Sequence, residues 1–360
     1  MTLPVMEPDL DANLLKRWAR LIDEGPFSSL CWGERIAFNN PDSLTLLGAL
    51  SAWTERVPRV TTVVVPQLHD PVMLAKALAT ADMLSGGRLT VGIGSGGREE
   101  DYRAVGADPK TQTMRGMAER VAIMRRVWAG EKISESVLPV GPAPIQPGGP
   151  RLLVGTIGAK TVRSAATWAD GLAGISMDLD TVKENALFDV ARESWSQAGK
   201  PAPHLATSFW FAIGEPEPAR EQVRRHLLRY MNWLPADLVE AIAPTTGWSG
   251  SEDELAAQLR VFEAIGEAAL WCLDHRAAVA EMAARGRALV MEHLAQRREG
   301  RDTDRRADHA GGEQECGELP VDRLAPPQRR HLRQLDLQPH VHARRVELRH
   351  LDPERRRAAR

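Results

Sequence analysis

The segment from residue 60 to residue 108 constrains the fold more than any other part of the chain. An apolar, β-branched run, VTTVVV, is followed by a predicted helix over residues 71–84 and by a second apolar run over residues 89–94. Two buried strands joined through one helix lie parallel, so their carboxyl ends lie at the same edge of a sheet. The second run leads into four closely spaced glycines, Gly92, Gly94, Gly96 and Gly97.

Short apolar runs alternate with amphipathic helical stretches through residue 295. With a first strand near residues 3–6 and a last strand near residues 268–273, the alternation amounts to about eight strand–helix units. Eight units in a chain of this length predict an α/β fold of the (β/α)8 TIM barrel class. An open, doubly wound sheet is the alternative that the pattern alone leaves open.

Two other segments carry expectations about the architecture. Residues 206–213, ATSFWFAI, are predicted to form one strand, and a last helix is predicted from residue 277. Residues 137–150 are rich in proline and glycine and interrupt the alternation, so we expect an irregular insert that caps a pocket.

Composition divides the chain into two parts. Residues 1–295 form the predicted barrel domain, whereas residues 296–360 are of low complexity. From residue 301 onwards there is no Lys, Ile, Met, Phe, Trp, Tyr, Asn or Ser, so that segment has little to bury and is predicted to be disordered. It is either an appended extension without a role or a basic interaction tail.

Charge and cysteine usage exclude several classes of protein. A net charge of −2 favours neither a nucleic-acid nor a membrane partner, and no apolar run is long enough to span a bilayer. Cys31, Cys272 and Cys316 have no metal-ligand or redox spacing, so we expect neither a metal site nor disulfides. No signal peptide is apparent. A cytoplasmic protein is therefore expected. We also expect a homodimer that acts on a small-molecule substrate.

The glycines after the second apolar run match a dinucleotide-binding pattern only formally. Gly92, Gly94 and Gly97 have the G-x-G-x-x-G spacing, but they follow the fourth predicted strand rather than the first. The acids of REED come next and would place three carboxylates near any phosphate. The glycines therefore either permit a tight turn or let backbone line a cofactor.

A second glycine-containing turn, GTIGAK over residues 155–160, lies between a predicted strand and a predicted helix. Backbone N–H groups at a helix start, with Thr156 and Lys160 nearby, are suited to a phosphate group. An ordinary turn of small residues is the alternative. Paired with the upstream glycines at matching barrel positions, the turn favours a cofactor site.

Motifs in this order and spacing extend from about residue 10 to residue 275. They are His69-Asp70-Pro71, Ser85-Gly86-Gly87-Arg88, Gly92-Ile93-Gly94, Glu100-Asp101-Tyr102, Gly106-Ala107-Asp108, then Arg115, Glu119, Arg125, Trp128 and Gly130, then Pro142-Ala143-Pro144-Ile145-Gln146-Pro147 and Ala169-Asp170-Gly171. In these motifs the chain resembles the luciferase-like family of flavin- and F420-dependent oxidoreductases.

The resemblance implies a (β/α)8 barrel that holds F420 or FMN at the carboxyl ends of its strands. It places a bulge with a non-proline cis peptide, under the cofactor ring, at Thr62-Val63. It further implies that the ring or phosphoryl arm lies beside Gly94, Ser95 and Gly96 and that the phosphate lies on the backbone of Ile157 and Gly158. The residues so implied are Thr62, Val63, Gly94, Ser95, Gly96, Thr156, Ile157 and Gly158.

The chain departs from the sugar-phosphate-oxidising members, which share a histidine after the second strand and a glutamate after the fourth. Cys31-Trp32 and Gly97 stand at those places, so no catalytic acid or base is assigned. Of the nearby acids, Glu34, Glu99 and Glu100 are expected to be solvated or paired with arginine. His69 is expected to pack at a helix entry, and Trp32 either stacks on a ring or fills the barrel.

The function that these features favour is an F420- or FMN-dependent, monooxygenase-like oxidoreductase. A non-catalytic flavin carrier and a barrel lyase that uses the same phosphate loop without flavin are the alternatives.

Overall fold

The computed structural model describes residues 1–7, 10–25, 27–135, 137–263 and 265. In this part of the chain the strands are β1 (Leu30–Trp32), β2 (Arg59–Val64), β3 (Leu89–Ile93), β4 (Arg151–Gly155), β5 (Gly171–Ala173), β6 (His204–Ala206), β7 (Phe211–Ile213) and β8 (Trp248–Gly250). The α-helices are α1 (Ala12–Glu24), α2 (Ser43–Trp53), α3 (Pro71–Leu84), α4 (Glu99–Ala104), α5 (Met114–Trp128), α6 (Ala159–Ala165), α7 (Thr181–Gln197), α8 (Pro216–Tyr230), α9 (Ala236–Ile242) and α10 (Glu252–Glu263).

The main sheet is parallel, and its strands lie side by side in chain order from β1 to β6. Thr2 bridges to Cys31, which places the start of the chain beside β1. An open doubly wound sheet would reverse strand order part-way, whereas unbroken sequential order is that of a barrel wall. The fold is therefore a (β/α)8 TIM barrel, as predicted. The predicted strand at residues 268–273, the helix from residue 277 and the tail at 296–360 lie outside the described residues.

Polar side chains fix where the helices begin. The oxygen of each capping residue accepts a hydrogen bond from a backbone N–H in the first turn, which satisfies a donor that has no partner within the helix. The caps are Asp11 of α1, Asp42 of α2, Asp70 of α3, Thr113 of α5 and Asp180 of α7. Among the described residues, none of the helices combines the length and apolarity that crossing a bilayer requires.

The prediction of a single strand over residues 206–213 is wrong. The segment divides into β6, which pairs with β5, and β7, which pairs with β8 in a separate two-stranded parallel sheet. Ser208, just after β6, still pairs with the residues that follow β5, since its N–H donates to the carbonyl of Gly174 at 3.1 Å. The partner of β7, strand β8, lies more than 30 residues away in sequence, and such pairing cannot be predicted from the local sequence pattern. Sequence reasoning also missed β8, α4 and α9.

The expectation that residues 137–150 cap a pocket is also wrong. This segment joins the end of α5 to the start of β4, so it lies at the amino-terminal end of the strands, away from the glycine-rich exits. Asp82, which is fully buried on α3, accepts hydrogen bonds from the backbone N–H of Ile145 at 2.8 Å and of Gln146 at 2.9 Å. The Gln146 side chain donates to the same carboxylate at 2.7 Å and to Leu89 O at 2.6 Å.

Substitution of Asp82 by Ala is expected to lower the free energy of unfolding by about 2–4 kcal/mol, because the backbone N–H groups of Ile145 and Gln146 and the Gln146 side chain all lose their buried acceptor. Urea unfolding monitored by circular dichroism measures the change. Affinity for any ligand at the opposite end of the strands should be unaltered in the folded variant. A loss below about 0.5 kcal/mol, the size typical of a surface substitution, would contradict the assigned role.

Candidate functional site

The carboxyl end of β2 carries a bulge. The register between β2 and β3 shifts between Thr61 and Val64, and the Thr62–Val63 peptide bond is cis. The bulge and the cis bond occur where the resemblance implied them, and that expectation is confirmed. Thr62 is exposed and Val63 is half-buried, so the bulge places two small side chains at the carboxyl end of β2.

Val63 occupies the space that side chains on the neighbouring strands would need. A Cβ on Gly155 would lie 2.5 Å from Val63 Cγ1, and a Cβ on Gly94 would lie 2.9 Å from Val63 Cγ2. A Cβ on Gly92 would lie 3.5 Å from Val63 Cγ1 and only 2.2 Å from the carbonyl oxygen of Thr61. Glycine at these three positions is therefore required by close packing against β2.

The two glycine-rich exits lie side by side. Ile93 of β3 is in register with Val154 of β4, and the Cβ position of Gly94 lies 3.5 Å from the carbonyl oxygen of Gly155. Gly94 and Gly155, at which the two predicted cofactor segments begin, therefore lie next to each other at the carboxyl ends of β3 and β4. Together with the β2 bulge they form a continuous backbone surface at the carboxyl ends of three adjacent strands.

The loop after β3 is held by two side chains that sequence reasoning did not single out. Tyr102 donates its hydroxyl proton to Ser95 O at 2.8 Å, and Gln112 Nε2 donates to Gly96 O at 2.7 Å. Burial raises the pKa of Tyr102 to about 12, so the hydroxyl stays protonated and remains a donor. Gly96 has φ of +68°, a left-handed conformation suited to glycine. Tyr102 lies in a quoted motif, but no spacing marks Gln112.

The loop after β4 groups small and hydroxyl-bearing residues. The N–H of Gly158 donates to Thr156 Oγ1 at 3.0 Å. The Cβ position of Gly158 lies 3.7 Å from Thr156 Oγ1 and 3.8 Å from Thr161 Oγ1, which are ordinary contact distances. The side chain of Ile157 points to solvent, with the residue 65% exposed. Thr161, in the first turn of α6, adds a second hydroxyl beside Gly158 that sequence reasoning did not name. A threonine in the first turn of the predicted helix was the signal available in the sequence.

Glu34 and His69 form a hydrogen-bonded pair beside the β2 bulge. His69 Nε2 lies 2.8 Å from Glu34 Oε1, and Glu34 Oε2 accepts from Val65 N–H at 2.9 Å. The N–H of Glu34 also donates to Val63 O at 3.1 Å. The expectation that Glu34 is solvated or paired with arginine is wrong, because its side chain is only 1% exposed and pairs with histidine. His69 packs at the entry to α3, as predicted.

The other candidates have structural roles. Glu99 pairs with Arg103, and Glu100 lies 3.5 Å from Arg35, so the expectation of arginine pairing is confirmed for both. Trp32 is fully buried in the main core and donates its indole N–H to Ser43 O at 3.3 Å. Of the two alternatives for Trp32, the structure shows that it fills the core.

A further buried carboxylate lies at the ends of β5 and β6. Glu184, in the first turn of α7, accepts a hydrogen bond from Thr207 Oγ1 at 3.1 Å. Burial raises the pKa of Glu184 above its ordinary value. No sequence pattern marked this residue. Among the described residues, no group of three or more His, Cys, Asp or Glu side chains is arranged to hold a metal ion.

Comparison with known proteins places this geometry in a family. The sequence profile described as luciferase-like monooxygenase matches residues 5–309. The chain belongs to the luciferase-like monooxygenase family. Members of this family use F420 or FMN.

The curated relatives in this family are partial matches. An uncharacterized protein of Mycobacterium tuberculosis is 34% identical over 168 residues, which are 44% of this chain and 57% of that protein. An F420-dependent glucose-6-phosphate dehydrogenase of Beutenbergia cavernae is 38% identical over 97 residues, 26% of this chain and 29% of that protein. The chain thus spans little more than half the length of the first relatives it matches.

Solved structures of luciferase-like proteins share the fold at low sequence identity. The monooxygenase RslO1 of Streptomyces bottropensis has a TM-score of 0.60 and 22% identity, covering 79% of this chain and 93% of that one. The oxygenating constituent of 3,6-diketocamphane monooxygenase of Pseudomonas putida, solved with FMN, has a TM-score of 0.55 and 16% identity, covering 74% of this chain and 88% of that one. At these identities the likeness shows the barrel fold alone.

Substitution of Gly155 by Ala is expected to destabilise the luciferase-like barrel by about 1–3 kcal/mol, because the new methyl group overlaps Val63. In a Val63→Ala background the same substitution should cost at least about 1 kcal/mol less, a coupling that a double-mutant cycle of urea unfolding measures.

Gly92→Ala is the matched control for that cycle. Its methyl group would meet the Thr61 carbonyl, which truncation of Val63 does not move, so no comparable rescue is expected. Equal rescue of both glycine substitutions, or of neither, would show that Val63 does not set the requirement for glycine at position 155.

Replacing Glu184 with Gln is expected to raise the free energy of unfolding at pH 7. A raised pKa means that the folded state holds the proton more tightly than the unfolded chain, so stability falls as pH rises above 4.5. The variant should lack that part of the decline. Glu193→Gln, at an exposed position on the same helix, is the control. Parallel stability–pH curves for wild type and Glu184→Gln would refute the assignment.

Proposed function

We propose that this chain is an oxidoreductase that binds F420 or FMN at the carboxyl ends of β2, β3 and β4 and acts on a small organic substrate. Family membership supports the cofactor class. The observation that carries the proposal is the contact of Val63 with Gly94 and Gly155, because it joins the bulge and both glycine-rich exits into one surface.

A planar ring fits the bulge and the loop after β3. Thr62 and Val63 lie at the bulge, and Gly94, Ser95 and Gly96 follow β3 directly, with Val63 packed against Gly94 and Val65 against Gly96. The carbonyls of Ser95 and Gly96 are fixed by Tyr102 and Gln112, so this loop is shaped before a ligand binds. A prearranged surface lowers the entropy that binding costs.

The phosphate-bearing arm is assigned to the loop after β4. Thr156, Ile157 and Gly158 stand where the family resemblance implies phosphate contacts, and the Thr161 hydroxyl lies close by. Hydroxyl groups and backbone N–H groups are ordinary phosphate donors. The residues present therefore fit the phosphate of FMN or of F420.

The cofactor carries the redox chemistry in such a site, as hydride transfer for F420 or oxygen activation by reduced FMN. The chain contributes orientation and exclusion of water. Glu34 anchors the bulge through Val65 N–H and Val63 O, and its Oε1 lies 2.8 Å from Nε2 of its partner His69. The pair therefore fixes the backbone on which the ring is proposed to lie.

Titration of the purified full-length chain with F420 and with FMN, followed by fluorescence of each cofactor, tests the proposal. Saturable binding of one of them with micromolar or tighter affinity is expected, together with substrate-dependent oxidation or reduction of the bound cofactor. Binding without turnover across candidate substrates would favour a carrier. Absence of binding to both would overturn the proposal.

Gly158→Glu is expected to weaken cofactor binding at least about tenfold, because it places a carboxylate beside the phosphate. Backbone angles of −109° and 121° admit a side chain at this position, so the fold should persist. Gly158→Gln has nearly the same shape without the charge and should bind considerably better than Gly158→Glu. Equal affinities for the two variants would refute the phosphate assignment.

A further inference from the structure

Arg98 is a buried cation at the rim of the proposed cofactor surface. It follows the Gly94–Gly97 run directly and stands just before α4. Its side chain is 10% exposed, and its guanidinium carbon lies 4.0 Å from the centre of the Trp233 ring and 5.1 Å from that of Tyr230. Aromatic rings attract the charge of a guanidinium but provide no lone pair for its N–H donors.

The described residues leave the Arg98 guanidinium without a hydrogen bond. Its Nε is buried and has no partner. The nearest carboxylate oxygen, Oδ2 of Asp101, lies 3.9 Å from Nη1, beyond hydrogen-bond distance. The other oxygen of Asp101 accepts from the backbone N–H groups of Ile36 at 3.0 Å and Ala37 at 2.7 Å.

A second arginine lies close to the first. The Arg35 side chain is 1% exposed, its guanidinium carbon lies 5.5 Å from the Trp233 ring centre, and its Nε also has no partner among the described residues. It also contacts Tyr230 O and Asn232 Oδ1, each at 3.2 Å, and Glu100 at 3.5 Å, and its guanidinium carbon lies 4.1 Å from the centre of the Phe38 ring. Burial, and next the charge of Arg98, lower the pKa of Arg35.

A buried guanidinium N–H without an acceptor is unfavourable, because the donor gives up its hydrogen bond to water and gains none in return. Glu100 and Asp101 balance the charge of the cluster, but neither supplies an acceptor to the Arg98 Nε. The cluster therefore has the composition of an anion-binding site. It contains two arginines, the Trp233 ring beside them and buried N–H donors without acceptors.

We propose that Arg98, backed by Arg35 and Trp233, binds a carboxylate or phosphate group of a small-molecule ligand. The group belongs either to the substrate or to the anionic tail of the cofactor. Only the second source rests on the proposed function. A planar guanidinium pairs with either oxyanion through two parallel hydrogen bonds, which makes Arg98 a specificity-determining residue at the rim.

Calorimetric titration of the full-length chain with inorganic phosphate and with malonate, at constant ionic strength and against chloride, tests the pocket. Wild type is expected to bind at least one of them, and Arg98→Gln is expected to bind at least tenfold more weakly. Arg98→Lys keeps the charge but loses the paired geometry, so it should fall between the two.

Arg103→Gln is the matched control. It removes the same charge from α4, where Arg103 is 70% exposed and pairs with Glu99. Its anion affinity should equal that of wild type. A structural role for Arg98 alone predicts a lower melting temperature with unchanged anion binding. That result, or wild type that binds neither phosphate nor malonate, overturns the proposal.

The source of the anion is found by titrating the same variants with F420, FMN and their tail-free chromophores, the deazaflavin alcohol and riboflavin. If the tail binds at Arg98, Arg98→Gln loses affinity for the complete cofactor and keeps it for the chromophore. If the substrate binds there, Arg98→Gln keeps its affinity for the cofactor. In wild type, phosphate or malonate then competes with the substrate and not with the cofactor. Arg98-dependent anion binding in a chain that binds neither cofactor would refute the proposed function and leave the anion pocket standing.

Discussion

The contact between Val63 and the glycines of β3 and β4 is the constraint on which the site depends. Val63 leaves no room for a Cβ at Gly94 or Gly155, and the Thr61 carbonyl leaves none at Gly92, so β2 packs against its neighbours in this way only where those positions are glycine. Close packing of this kind leaves no slack, because interiors are as dense as organic crystals. The packing that requires glycine at these positions therefore also shapes the carboxyl ends of the three strands, where the bulge lies.

The bulge is also held from its outer side. Glu34, in the loop after β1, donates its backbone N–H to Val63 O and accepts from Val65 N–H through its side chain. Asp101 accepts from the backbone N–H groups of Ile36 and Ala37, further along the loop after β1. The loops after β1, β2 and β3 are thus joined by two buried carboxylates that accept from backbone. A shape fixed through backbone hydrogen bonds tolerates change in the exposed side chains, which is how one barrel hosts many chemistries.

Much of this architecture is visible in the sequence because it depends on local rules. Helix α3 is bounded as expected, since Asp70, Pro71 and the glycine pair at 86–87 act within a few residues of the ends they fix. The division of residues 206–213 and the Glu34–His69 pair were not foreseen, because each depends on partners more than 30 residues away. The family motifs did not separate roles either: Arg125 and Asp170 match the pattern, yet they bind each other and the amino end of β4.

The contacts of Arg35 with Tyr230 and Asn232 span 195 and 197 residues of sequence. A chain emerging from the ribosome completes its early strand–helix units long before residue 230 is available, and domains fold from the amino end as synthesis proceeds. Until then Arg35 and Arg98 lack the Tyr230 and Trp233 rings that they contact in the folded protein. The part of the rim that contains Arg35 and Arg98 is therefore completed only after residue 233 has been synthesised. A shorter nascent chain has the early strands without this part of the rim.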